Sequence, residues 1–372
     1  MLRKTLFTIS RYKYTRSIST PRTLEVKSKT KGLLKLHVDW LRDHCECSKC
    51  IHPTSRQKLH SSGDVANSII QNVNQDGEVI NVIWNDGHKS IYNLIDLFPA
   101  KKVIPRPFLW EKEDVLNIHV DHDEYMKTEQ GISKVLKNIN KFGLCILENV
   151  PTDDRYLKSI IERIGPIRNS FYGDLWDVKN VKDAKNIAYT SLYLGLHMDL
   201  MYFETPPGVQ FLHCLSNSVE GGESIFLDSF KAVSILRKKF PEHFNTLQSI
   251  PINFEYKNQG KHYQYLRCMI ETNLFNEKLD VFYAPPFQGK LQLDPDSAEK
   301  FYLAMHEFEK ILKSDSLIFQ KRLEKGQCVL FHNIRVLHGR LSFNTITGER
   351  HFKGGYLDWD DFQSAYRASF FK

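Results

Sequence analysis

No stretch of this 372-residue sequence is apolar for long enough to cross a bilayer. A helical span needs roughly 20 such residues, whereas the longest candidates, such as Phe142 to Ile146, have the length of a strand. Acidic residues are missing from the first segment: none precedes Glu25, while Arg3, Lys4, Arg11, Lys13, Arg16 and Arg22 all do. Those six cations supply most of the formal charge of +7 and leave about +1 for the remainder. The remainder thus lacks a concentrated basic face to neutralise phosphates, which argues against a nucleic-acid partner. A paired disulfide framework is also missing: seven cysteines is an odd count, better suited to a reducing compartment. There is no internal repeat and no low-complexity tract. What is present is 41% hydrophobic and 12% aromatic residues, enough to bury a full core with a second small domain beside it.

The acid-free segment, residues 1–24, interleaves Leu2, Leu6, Phe7, Ile9 and Ile18 with its arginines and is rich in Ser and Thr. That is the composition of a mitochondrial presequence, and it lacks the apolar centre of a secretory signal. A mitochondrial matrix location is expected. Residues 25–104 are polar and turn-rich, with strand-like runs at Leu33 to Val38 and Val79 to Trp84 and turn signals at Asp76-Gly77 and Asp86-Gly87. They read as a small β domain. Pro99, Pro105 and Pro107 mark a linker, and residues 105–372 form the larger domain. There Ile132, Val135, Leu136 and Ile139 recur at helical spacing, Lys141-Phe142-Gly143 ends that helix, and Leu144 to Val150 reads as a buried strand. A second helix is expected over Ser297 to Leu312, with Phe301, Met305, Phe308 and Leu312 as its apolar stripe. Elsewhere short apolar runs separated by Gly, Pro and Asn predict a mainly β core with flanking helices.

Two clusters carry chemistry. Cys45, Cys47 and Cys50 place three thiols within six residues, close enough to converge on one soft ion. Zinc favours four tetrahedral S or N ligands, so a fourth must come from elsewhere. His44 adjoins Cys45 and would form a strained chelate; His52 and His60 are further candidates; His88 follows a strand and the Asp86-Gly87 turn, a rigid place from which to close the site. A closed Cys3His site has no open position, so its expected role is structural.

The second cluster begins at His197-Met198-Asp199. In a strand, residues i and i+2 share a face, so imidazole and carboxylate can enter one cavity. The third ligand is His338, in Arg335-Val336-Leu337-His338-Gly339-Arg340 after the strand-like Val329-Leu330-Phe331. Two histidines and a carboxylate on one octahedral face leave three positions open, as Fe(II) needs for a bidentate keto acid and then dioxygen. His119-Val120-Asp121 is a competing triplet, but it sits in a charged stretch with no apolar strand around it and is expected in a solvated turn. His332 lacks the following Gly-Arg and is expected to be structural or exposed.

With this spacing the chain resembles the γ-butyrobetaine and trimethyllysine dioxygenases of carnitine biosynthesis, from about Trp40 to Arg367. The matching residues are Trp40-Leu41-Arg42-Asp43-His44-Cys45, Trp84 to His88, Ala188-Tyr189-Thr190, Pro207-Gly208-Val209-Gln210 with His213-Cys214, Gly221-Gly222, Arg335 to Arg340 and Gly355-Tyr356. The resemblance implies a double-stranded β-helix (jelly-roll) catalytic domain of the TauD-like kind behind a zinc-binding β domain, a homodimer, and Fe(II), 2-oxoglutarate and dioxygen as reactants, with ascorbate as reductant. It assigns the far carboxylate of 2-oxoglutarate to Arg350, in keeping with bidentate guanidinium chemistry, with Arg340 as competitor and Ser224 as an added hydrogen bond. It also maps an aromatic cage for a quaternary ammonium onto Tyr172, Trp176, Tyr189 and Tyr356, with Asn186 as a polar contact; such a cation has no N–H and is held by π faces.

Two positions depart from the pattern. Paired asparagines for the substrate carboxylate are replaced by Phe282 to Gln288, and the usual FDN before the distal histidine is Phe331-His332-Asn333. The expected reaction is hydroxylation of a small-molecule betaine, γ-butyrobetaine to L-carnitine. Trimethyllysine hydroxylation is the alternative, and a catalytically silent, zinc-bearing binding protein is the rival from another class.

Overall fold

The computed structural model describes residues 22–98, 105–153, 155–180, 187–258, 260–273 and 278–370. Most of the expected presequence and Asn186 lie outside the described residues. The chain divides into two compact units, residues 1–104 and 105–372.

The first unit pairs the strands Thr23–Ser28 and Gly32–His37, follows them with the helix Val38–Asp43, and continues into a meander of Ile70–Asp76, Val79–Trp84 and Lys89–Asn93. Its first strand opens two residues ahead of the boundary expected from composition, and Arg22 of the basic segment pairs with Asp39. Val79–Trp84 alternates in burial, so Ile80, Val82 and Trp84 point inward and join Leu36, Leu41, Cys45, Cys50 and Leu94 in a small core. Gly77 takes φ 57° in the turn between the first two strands of the meander, a conformation open to glycine at little cost.

The second unit is a jelly roll. Its large sheet runs, in spatial order, His119–Asp121, Leu144–Glu148, Cys328–His332, Val209–Asn217, Arg350–Leu357 and Leu175–Lys179. Its small sheet runs Phe319–Lys321, Ser224–Asp228, Val336–Arg340 and Leu194–His197. Leu144, Ile146, Val329, Phe331 and Phe352 from the large sheet pack with Phe226, Phe319 and Val336 from the small one. Apolar alternation on the two inner faces is thus what closes the sandwich. The helix Glu129–Phe142 forms where expected: the Thr128 side chain accepts from the Gly131 amide at 2.9 Å, Val135, Leu136 and Ile139 are buried, and Gly143 ends it at φ 71°. The helix Pro295–Leu312, capped by Asp294, buries Phe301, Met305, Phe308 and Leu312. His119 departs from expectation: His119–Asp121 is not a solvated turn but a short edge strand, paired in parallel with Leu144–Glu148. The charged flanks hid it because an edge strand this short needs only Val120 to point inward.

One buried group makes stability depend on pH. The His213 ring is fully buried, and no side chain pairs with it among the described residues. Burial, then the charge of His122, holds its imidazole down to about 4. The unfolded chain takes up this proton near pH 6.5 while the folded chain refuses it, so the contribution is complete above about 6.5 and is lost as pH falls towards 4. Its ceiling is about 3 kcal/mol, from a gap of roughly two and a half pH units at about 1.4 kcal/mol each. Urea unfolding of the native protein should weaken between pH 7.5 and 5, and His213→Leu should flatten that slope. An equal slope in the two proteins refutes the assignment.

Candidate functional site

The two sheets enclose a cavity lined from both sides. Gln210, Leu212, Trp176, Phe352 and Tyr356 come from the large sheet, and His197, Ser224, His338 and Arg340 from the small one. His197 ends the strand Leu194–His197, and His338 lies directly opposite it on Val336–Arg340, with the ring centroids 4.3 Å apart. Asp199 arrives differently from expectation. The strand stops at His197, so His197 and Asp199 do not share a strand face. The backbone instead turns through Leu200 at φ 60°, and the Asn333 side chain grips Asp199 at both its amide and its carbonyl, each at 2.9 Å. The carboxylate nonetheless meets the imidazoles: Oδ1 is 3.5 Å from His197 Nε2 and 4.0 Å from His338 Nε2. One ligand atom from each residue falls within 4.8 Å of the others. Burial, helped by the charge of His197, holds the His338 imidazole down to about 3, which keeps it a neutral donor. Burial pushes the Asp199 carboxyl up, but the hydrogen bond from His197 and the charge of His338 outweigh it and hold the group well below the usual carboxylate range. Two imidazoles and one carboxylate that converge on one point fit a divalent metal.

Arg350 lines the same cavity. Only 8% of it is exposed, its Nε has no partner, and no carboxylate pairs with it among the described residues. Burial, reinforced by the positive charge of Arg340, lowers it to about 9, so it remains a cation at neutral pH. A buried guanidinium without a counter-ion is costly, and an anion entering the cavity would relieve that cost. Arg340 is engaged elsewhere: its terminal nitrogens donate to the carbonyls of Ala188, Thr190 and Leu192 at 3.2, 2.8 and 2.6 Å. It ties down the segment that carries Tyr189.

The aromatic wall is assembled around Trp176. Its ring lies 4.2 Å from Tyr356 and 6.1 Å from Tyr172, and Tyr189 lines the same cavity. The close approach depends on Gly354, where a Cβ would come within 2.4 Å of the Trp176 indole.

In the first unit, His88 Nε2 lies 3.3, 3.6 and 3.6 Å from the sulfurs of Cys45, Cys47 and Cys50. These four form the second convergent cluster among the described residues. His44 is turned away, its Nδ1 on the Trp40 carbonyl at 2.7 Å, and His60 faces Asp43. Arg42 donates to Cys50 Sγ at 3.3 Å and Ser90 to Cys45 Sγ at 3.0 Å. Three thiols and an imidazole with donors aimed at their sulfurs fit tetrahedral zinc.

Comparison with known proteins places this geometry. The family model for taurine catabolism dioxygenases, the TauD, TfdA family, matches residues 102–356. The chain belongs to that dioxygenase family. A second model, gamma-butyrobetaine hydroxylase-like, N-terminal, matches residues 16–97. The chain is 38% identical to dioxygenase str8 of Strobilurus tenacellus, over 86% of this chain and 82% of that one. It is 33% identical to the gamma-butyrobetaine dioxygenase of Pseudomonas sp. (strain AK-1), over 88% of each, and 30% identical to the mitochondrial trimethyllysine dioxygenase of Bos taurus, over 89% and 82%. Among solved structures, a taurine dioxygenase from Burkholderia xenovorans shares the fold at a TM-score of 0.51 and 12% identity, covering 68% of this chain and 89% of that one. An asparagine oxygenase does so at 0.52 and 12%, over 65% and 93%.

Within this dioxygenase some cavity residues escaped the sequence reading. Tyr202, Leu200 and Gln210 line the cavity, as do Pro286 and Phe287 from the segment that replaces the paired asparagines. Tyr202 carried a signal, since it lies three residues beyond Asp199, but it resembled ordinary core. His332, expected to be structural or exposed, is 5% exposed and its ring stacks on Trp359 at 3.6 Å, which gives the altered FxN position a packing role.

Proposed function

We propose that this dioxygenase hydroxylates a small trimethylammonium acid, using ferrous iron held by His197, Asp199 and His338 and 2-oxoglutarate anchored by Arg350. The observation that carries the reading is one cavity that combines a two-histidine, one-carboxylate cluster, a buried guanidinium without a counter-ion among the described residues and a wall of Tyr172, Trp176, Tyr189 and Tyr356. Iron and 2-oxoglutarate, when bound, supply the power to put oxygen into an unactivated C–H bond, the keto acid losing carbon dioxide to become succinate. The protein's own residues position and shield. Arg350 fixes the far carboxylate of the keto acid and so orients its other end towards the triad. The aromatic faces take up the quaternary ammonium, which offers no N–H, and exclude water from it. Arg340 holds Tyr189 in that wall through its three carbonyl contacts.

Arg350→Ala should raise the 2-oxoglutarate concentration for half-maximal turnover by about thirtyfold or more, from roughly 2 kcal/mol for a charge-assisted pair. An unchanged requirement moves the anchor to Arg340.

γ-Butyrobetaine is the leading substrate, supported by the relative of that name at 33% identity along most of both chains and by Trp176 to Thr190 and Tyr356 to Asp360. Trimethyllysine is the second reading, favoured by the mitochondrial relatives near 30% identity and by the basic segment at residues 1–24, which we assign as a mitochondrial presequence. The same reading includes zinc at Cys45, Cys47, Cys50 and His88, ascorbate as reductant and a homodimer. Purified protein with Fe(II), ascorbate, 2-oxoglutarate and each betaine separates the two substrates by mass spectrometry. Addition of one oxygen to trimethyllysine alone overturns the first choice. Failure to decarboxylate 2-oxoglutarate with iron bound supports a silent, zinc-bearing binding protein.

A further inference from the structure

The two oxygens of Asp199 have different partners. Oδ1 faces both imidazole nitrogens, at 3.5 and 4.0 Å. Oδ2 accepts the hydroxyl of Tyr356 at 2.7 Å. Tyr356 is 1% exposed and is fixed on Arg350–Leu357 opposite Gln210, with its ring 4.2 Å from Trp176. The carboxylate is also anchored from its backbone side, where Asn333 holds its amide and carbonyl. Backbone and one oxygen are therefore committed before a metal arrives, and a single oxygen is left for it.

We propose that Tyr356 is a positioning residue for the metal as well as part of the aromatic wall: its hydroxyl confines Asp199 to binding through one oxygen. The inference rests on the metal reading above. A carboxylate that binds through both oxygens takes two positions on an octahedral ion, and with two histidines it leaves only two open. The reaction calls for three, two for the keto acid and one for dioxygen. The phenol removes the second tooth by giving it a hydrogen-bond donor instead. Such outer partners orient metal-binding groups, and their loss commonly lowers metal affinity about ten- to a hundredfold. Tyr356 also joins the two halves of the site, since a ligand on the Trp176 wall touches the ring whose hydroxyl holds the metal carboxylate.

The test uses Mn(II), an ion suited to imidazole and carboxylate but not to the thiolates of the first unit, titrated into full-length protein freed of iron and followed by the electron paramagnetic resonance of free Mn(II). Tyr356→Phe keeps the ring and loses only the hydroxyl. Its Mn(II) Kd should rise by about tenfold or more, and the Kd of 2-oxoglutarate for the Mn(II)-loaded protein should rise with it as Oδ2 competes for coordination. Tyr356→Leu, which lacks both ring and hydroxyl, should give the same Mn(II) loss. A loss confined to Tyr356→Leu assigns the effect to packing and overturns the proposal, as does a Tyr356→Phe affinity within twofold of the native protein. Asp199→Ala separates the failures: if it binds Mn(II) as tightly as the native protein, the metal reading itself is wrong and this inference falls with it.

Discussion

Arg335→Met is expected to cost about 3–5 kcal/mol of folding stability, the usual penalty for stripping one partner from a buried ion pair. Arg335 is 1% exposed. It holds Asp228 with two bonds, at 3.0 and 2.9 Å, and donates to the carbonyls of Lys141 and Phe108 at 3.0 and 2.6 Å. Asp228 in turn accepts the Trp110 amide at 3.1 Å and caps the helix Ser229–Lys239 through the Phe230 amide at 3.1 Å. Removing the guanidinium leaves a buried carboxylate and two carbonyls without their donor, whereas Arg335→Met combined with Asp228→Leu removes the orphaned charge and should recover part of the loss. Denaturant unfolding at neutral pH measures both. A single-variant loss below about 1 kcal/mol, at the level of an exposed pair, shows that the network contributes little.

His338→Ala should abolish succinate formation, while His119→Ala should leave it intact. The two histidines differ in sequence setting and in surroundings alike. His338 faces His197 across a strand pair and looks into the cavity. His119 sits on an edge strand with a third of its side chain exposed and its Nδ1 on Glu148 at 2.5 Å. Loss of turnover with His119→Ala and its retention with His338→Ala reverses the ligand assignment.

Much of this site was legible because it depends on local rules. The two long helices announced themselves by apolar spacing, and the first also by Gly143 at its end; the caps Thr128 and Asp294 were not read from the sequence. Cys45, Cys47, Cys50 and His88 converge as the turn at Asp86-Gly87 suggested. What the sequence hid is long-range. The turn that carries Asp199 past the end of its strand is set by Asn333, 134 residues away. Likewise, the role of Arg340 depends on carbonyls some 150 residues earlier, and proximity to His338 gave no hint of them. The His119 triplet misled because a single inward valine suffices for an edge strand.

The register of the small sheet has a consequence for biogenesis. His338 sits between Phe226 on one side and His197 on the other, with Arg340 opposite Ser224. A slip of one residue in Val336–Arg340 would turn Leu337 or Gly339 to the cavity and send the imidazole to the opposite face. A mispaired chain therefore cannot assemble the metal cluster at all. Loading with a metal would then separate correctly paired molecules from compact but misaligned ones before either meets substrate.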